Sequence, residues 1–175
     1  MKICFTSSHG CGKTTLCQEL TKHLDIPYIK EIARTEIIRT GKLPYEMTKK
    51  ERFKFQKRLF ELQLIAESQN QSFMSDRGLF DILAYSYDLP EYPYLLEMAK
   101  QANITGRYSH IFYIPIEFHL EGDAQRSSDI DYQKEIDNRL VNILESLDIC
   151  YFKITGTVQE RVEKVTSTLK LFDHN

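Results

Sequence analysis

The sequence predicts an α/β fold, a three-layer α/β/α sandwich in which helices cover both faces of a five-stranded parallel sheet. Three observations carry that expectation. Short apolar segments rich in β-branched and aromatic residues recur at 2–6, 26–30, 72–76, 110–114 and 150–154. Their apolar residues occupy successive positions instead of alternating, as in strands buried on both faces. Stretches of helical period lie between them.

Taken in order, the first strand runs into "TSSHGCGKTTL", a glycine-rich turn after which a helix begins near Lys13. The second strand is followed by "KEIARTEI", where Glu31 and Arg34 are three residues apart, the spacing of an exposed helix pair or of two groups facing one ligand. Thr48 and Glu51 form a capping box ahead of a long helix reaching about Gln71. After the third strand a helix runs over 79–89, and Pro90 and Pro93 separate it from the next. The fourth strand leads into "PIEFHLEGDAQRSSDIDYQKEIDNRL", a polar loop and helix start that carries Arg126. Thr157 and Glu160 repeat the capping box before a last helix with an apolar stripe of Val158, Val162, Val165 and Leu169.

Composition narrows the classes of partner. With 175 residues and 42% hydrophobic content, the chain is expected to form one domain over 1–175 around one core. A formal net charge of −2 provides no global positive field, which disfavours nucleic acid or an acidic membrane as the main partner, so any anion must be held locally. Cys4, Cys11, Cys17 and Cys150 lack metal-ligand spacing, and the first residues read as a strand and not as a signal sequence. No apolar stretch approaches bilayer length. The expected setting is a reducing cytoplasm, without a membrane and with a homodimer left open.

The turn after the first strand carries the chemistry. Gly12-Lys13-Thr14 between a buried strand and a helix matches the phosphate-binding pattern G-x-x-x-x-G-K-[ST] at all but one position, because Ser7 stands where the first glycine belongs. The amides of Ser8, His9, Gly10, Cys11, Gly12, Lys13, Thr14 and Thr15 can turn around an anion where Gly10 and Gly12 leave room, and the helix aims its positive end at the same point. Lys13 would neutralise β- and γ-phosphates, and Thr14 would lend its hydroxyl to Mg²⁺. The His9 imidazole either touches a phosphate or is merely tolerated there.

A nucleotide site alone does not separate a switch, a motor and a transferase. The guanine-reading N-K-x-D pattern is missing, which disfavours a GTPase switch. Charged residues instead cluster where open parallel sheets bind ligands, beyond the carboxyl ends of the strands: Glu31 and Arg34, Asp76 and Arg77, and Arg126.

Together, "TSSHGCGKTTL", "KEIARTEI", "SDRGLFDILAY", "EGDAQRSSD" and "ITGTVQERV" resemble the P-loop small-molecule kinases related to the nicotinamide-riboside-kinase domain of the bacterial NAD-biosynthesis regulator. More distantly the chain is similar to thymidylate and deoxynucleoside kinases. The resemblance implies the nucleoside/nucleotide-kinase form of the P-loop NTPase fold, with strand order 2-3-1-4-5. It also implies ATP-dependent phosphoryl transfer to a small nucleoside-type acceptor. Lys13, Glu31, Asp76 and Arg126 become the catalytic candidates. Thr14 and Asp76 are the metal candidates, with Asp76 as an alternative proton acceptor or helix cap. Glu31 would orient or deprotonate the acceptor hydroxyl, and Arg34 and Arg77 could clamp an acceptor phosphate. Residues 118–131 would close as a lid that excludes water. Phe53, Phe60 and Tyr85 are candidates to stack a base, and Gln56 or Gln63 to read its edge. Nucleoside and monophosphate acceptors both stay open, as do a regulatory ATPase acting on a macromolecule and a kinase of nucleic-acid ends. The last rests only on Lys49, Lys50, Lys54, Lys57 and Arg58.

Overall fold

The computed structural model describes residues 1–117 and 130–173. Its centre is a parallel sheet of β1 (Lys2–Thr6), β2 (Tyr28–Ile29), β3 (Phe73–Asp76), β4 (His110–Tyr113) and β5 (Phe152–Lys153), in the expected order β2-β3-β1-β4-β5. Around it pack α1 (Lys13–Leu20), α2 (Ile32–Thr40), α3 (Lys49–Ser68), α4 (Leu79–Ser86), α5 (Tyr92–Gln101), α6 (Ile130–Ser146) and α7 (Val158–Asp173).

Successive apolar residues in the strands have a direct cause. In β1, Ile3 and Phe5 point into a core shared with Leu16, Cys17 and Val165 of α1 and α7, while Cys4 points into the opposite core with Phe60, Leu83 and Leu140 of α3, α4 and α6. Strands β1 to β4 therefore each supply both layers, whereas Phe152 and Lys153 of β5 are exposed. The outer strands are shorter than the sequence suggests because each pairs on one side only: Tyr28 and Ile29 against Met74 and Ser75, Phe152 and Lys153 against Phe112 and Tyr113.

The helix signals act as expected. Thr48 Oγ1 accepts the Glu51 N–H at 3.2 Å while Glu51 Oε2 accepts the Thr48 N–H at 2.9 Å, and Thr157 and Glu160 reproduce the pair at 3.3 and 2.7 Å. Val162, Val165 and Leu169 are buried, whereas Val158, in the first turn of α7, is exposed. α4 stops at Ser86, before the expected Leu89, and Pro93 falls in the first turn of α5, where its missing N–H is not needed. Among the described residues no helix is long and apolar enough to cross a membrane.

Candidate active site

At the carboxyl end of β1 the chain turns through residues 7–12 into α1. Gly10 (φ 77°) and Gly12 (φ 82°) take the left-handed conformation that L side chains resist. Ser7 does not, so a Cβ in the place of the motif's first glycine brings no backbone strain. Lys13 is buried, and its Nζ donates to the Ser7 carbonyl at 3.1 Å, the Ser8 carbonyl at 2.8 Å and the Ser7 hydroxyl. Burial, with the Arg77 charge beside it, lowers the Lys13 ammonium from the usual 10.5 to about 8. Cys11 is also buried, its Sγ 3.3 Å from Ser8 Oγ, and Thr15 is exposed on the first turn of α1.

The two metal candidates, Thr14 and Asp76, lie in contact. The Thr14 hydroxyl donates to Asp76 Oδ2 at 2.6 Å, leaving its oxygen lone pairs available to a cation. Asp76 Oδ1 is buried and makes no hydrogen bond to a described residue. Burial pushes the Asp76 carboxyl above its ordinary range, Lys13 pulls it back and Glu31 adds to the rise. Asp76 does not cap α4, where the Asp81 carboxylate instead accepts the Gly78 N–H at 2.9 Å. A hydroxyl and an orphaned carboxylate oxygen side by side fit Mg²⁺ shared with substrate phosphates and water. Among the described residues no group of three or more His, Cys, Asp or Glu could hold a metal.

Arg77 links this loop to the cleft beside it. Its Nε donates to Glu31 Oε1 at 2.8 Å, and its Nη1 donates to Asp81 Oδ1 at 3.0 Å and to the Ser7 carbonyl at 3.1 Å. The guanidinium lies over the Tyr85 ring, 5.3 Å from its centroid. Burial opposes the Arg77 charge, but Glu31, Tyr85 and Asp81 outweigh it and hold the group cationic. Glu31 is partly buried, with a side chain 9% exposed, and Arg34 approaches it to 3.9 Å with a side chain 45% exposed. The expected phosphate clamp thus separates into a committed Arg77 and a rim Arg34.

The cleft has a volume of about 870 Å³, including its open mouth. Glu31, Arg34, Arg77, Asp81 and His9 mark its polar end, and Ile32, Phe55, Leu59 and Tyr85 are among its apolar walls. His9 Nδ1 lies 3.0 Å from Tyr85 Oη, and its ring packs at 5.9 Å from that of Tyr132. The imidazole therefore forms cleft wall. Gln56 lines the cleft, and so does Gln63, which is tied to Glu67 and Ser75 at 2.7 and 2.9 Å. Phe60 is core, and Phe53 packs against Tyr94. Arg126 and nearly all of the expected lid lie outside the described residues.

Sequence reasoning missed four residues. Asp81 binds Thr6 Oγ1 at 2.9 Å as well as Arg77, and its place three residues after Gly78 was a usable capping signal. Arg161 is buried beneath the loop, where Nη1 donates to the Cys11 carbonyl at 2.8 Å and Nη2 to Glu117 Oε2 at 2.7 Å. Gln133 Nε2 donates to the His9 carbonyl at 2.6 Å, and Tyr28 Oη to Asp76 Oδ2 at 3.4 Å.

Comparison with known proteins follows the same lines. Residues 2–161 match the family described as AAA domain. The chain belongs to that family. No curated protein matches the sequence. Among solved structures the chain is similar to NadR in complex with NR (TM-score 0.79, 15% identity), covering 97% of this chain and 50% of that one. It is similar to deoxyadenosine kinase from M. mycoides (TM-score 0.71, 18% identity), covering 98% of this chain and 100% of that one. Thymidylate kinase from Candida albicans (TM-score 0.70, 14% identity) covers 98% of this chain and 92% of its own. The chain thus spans half the length of the NadR chain, and this member of the AAA domain family has the fold of the P-loop nucleoside and nucleotide kinases.

Proposed function

We propose that this chain is a kinase that transfers the γ-phosphate of ATP, with Mg²⁺, to a hydroxyl of a small nucleoside-type acceptor. One observation carries the reading: Arg77 touches the glycine-rich loop through the Ser7 carbonyl and the cleft through Glu31, so that a lysine-bearing anion cradle and a held carboxylate share one boundary.

Phosphoryl transfer needs alignment and charge neutralisation more than covalent help. The triphosphate would take the loop amides of residues 8–15 and draw Lys13 Nζ from the Ser7 and Ser8 carbonyls onto its β- and γ-oxygens. Thr14 and Asp76 would hold Mg²⁺, which supplies further neutralisation of the phosphate charge. Glu31 accepts the acceptor's hydroxyl proton as that oxygen bonds to the γ-phosphorus. The bond from the γ-phosphorus to the β,γ-bridging oxygen breaks, and ADP leaves.

A cleft with apolar walls and a few polar groups suits a flat ring carrying a sugar. Gln56 is 3% exposed and its side-chain amide makes no hydrogen bond to a described residue, which qualifies it to read a ring edge. Commitment of Arg77 to Glu31, Asp81 and Ser7 favours an acceptor without phosphate, whereas Arg34 on the rim favours a monophosphate. The structures of NadR in complex with NR and of deoxyadenosine kinase with dCMP and dCDP support acceptors of this general kind. Labelled ATP screened against nucleosides and monophosphates tests the proposal. The wild type should label at least one, Lys13→Met should label none, and Gln56→Leu should raise the acceptor KM about tenfold without changing ATP affinity. ATP hydrolysis stimulated by a macromolecule, with no small acceptor labelled, refutes it.

A further inference from the structure

Tyr28 has no task in the reaction just proposed. It lies on β2 in register with Met74, and Asp76 is two residues further along β3, so the two side chains share a sheet face. Asp76 Oδ2 consequently receives two hydroxyls, Thr14 Oγ1 at 2.6 Å from α1 and Tyr28 Oη at 3.4 Å from the sheet. Asp76 Oδ1 receives none from a described residue. The Tyr28 phenol is half-buried and has no second hydrogen-bond partner among the described residues.

A carboxylate held at one oxygen by a single donor can still rock about its Cβ–Cγ bond, whereas donors from two elements fix its plane. We propose that Tyr28 is a positioning residue for Mg²⁺, holding Asp76 by Oδ2 so that Oδ1 is the oxygen presented to the metal and its waters. This rests on the reading of the loop as a Mg²⁺-nucleotide site. Groups that orient a metal ligand through its second atom govern affinity although they never touch the ion.

The test is Tyr28→Phe, which keeps the ring and removes only the hydroxyl. Binding of a fluorescent, non-hydrolysable ATP analogue is titrated with Mg²⁺, and Mn²⁺ uptake in the presence of that analogue is followed by electron paramagnetic resonance. The variant should need about tenfold more of either metal, near the low end for losing such a partner because phosphate and water supply most of the remaining ligands. Its metal-free analogue affinity and melting temperature should match the wild type. Unchanged metal dependence overturns the proposal. So does an equal loss of analogue affinity without metal, which would make Tyr28 a support of the loop. If the wild type itself shows no metal-dependent tightening, the nucleotide-site reading fails first, a distinguishable result.

Discussion

If Lys13 serves the phosphates as proposed, it should titrate differently with and without nucleotide, and that difference is measurable. Burial against the Ser7 and Ser8 carbonyls, with Arg77 beside it, lowers its ammonium to about 8. A triphosphate in the loop replaces that environment with anionic oxygens and restores the pKa to at least its ordinary value. The lowered group binds fewer protons in the empty protein than in the complex between pH 8 and 10.5, so nucleotide binding takes up a proton there and weakens as pH rises. With a pKa of about 8 in the free protein, about 0.9 proton should be taken up at pH 9, and affinity should fall about tenfold between pH 7 and 9. Folding carries the opposite sign: a depressed ammonium costs stability while it is charged, so the nucleotide-free protein gains stability as pH rises from 8 towards 10.5. Calorimetry of a non-hydrolysable ATP analogue at pH 9, in two buffers of different ionisation enthalpy, counts the proton directly. Lys13→Met should abolish the uptake. An uptake below about 0.2 proton, or one that persists in Lys13→Met, refutes the assignment of Lys13 to the phosphates.

Arg77→Met leaves the buried Asp81 carboxylate and the partly buried Glu31 carboxylate without their shared cation and should lower the unfolding free energy by about 3–5 kcal/mol in urea titrations, a loss below about 1 kcal/mol contradicting the central place given to Arg77. Gly78→Ala would place a Cβ 2.6 Å from Cys4 Sγ and 2.7 Å from Tyr108 Oη, an overpacking of about 1–3 kcal/mol visible in thermal melts and partly relieved in a Cys4→Ala background.

How much of this was legible depended on sequence distance. The strand centres and both capping boxes were readable because each is a local pattern, while the outer strand ends were not, because pairing trims them. Sheet order is no property of periodicity and came from the resemblance to P-loop kinases. Lys13 and Thr14 announce themselves in one motif, and Asp76 by closing a buried strand. By contrast, Tyr28 lies 48 residues from Asp76, Gln133 lies 124 from His9, and Arg161 lies 150 from Cys11. None of those pairings has a local signature. For His9 the loop position left two readings open, a phosphate contact or a merely tolerated side chain, and the structure packs its ring against Tyr85 and Tyr132.

Arg77 also occupies a left-handed backbone position, φ 82°, although it carries a long side chain. Such a conformation costs on the order of 1–3 kcal/mol and persists only where neighbours over-determine it. Those neighbours are present: the Arg77 carbonyl accepts from Ser75 Oγ at 2.6 Å and Gln63 Nε2 at 3.4 Å, and its N–H donates to the Phe5 carbonyl at 3.0 Å. Gln63 is anchored in turn on Glu67, which also accepts from Tyr108 Oη at 2.8 Å. From this backbone position the guanidinium reaches the Ser7 carbonyl, to which Nη1 donates at 3.1 Å. Backbone strain, buried charge and the junction of loop with cleft coincide at one residue. Under the proposed kinase reading that coincidence has a use, because an acceptor oxygen and a phosphate held by one rigid body would have their separation fixed before reaction.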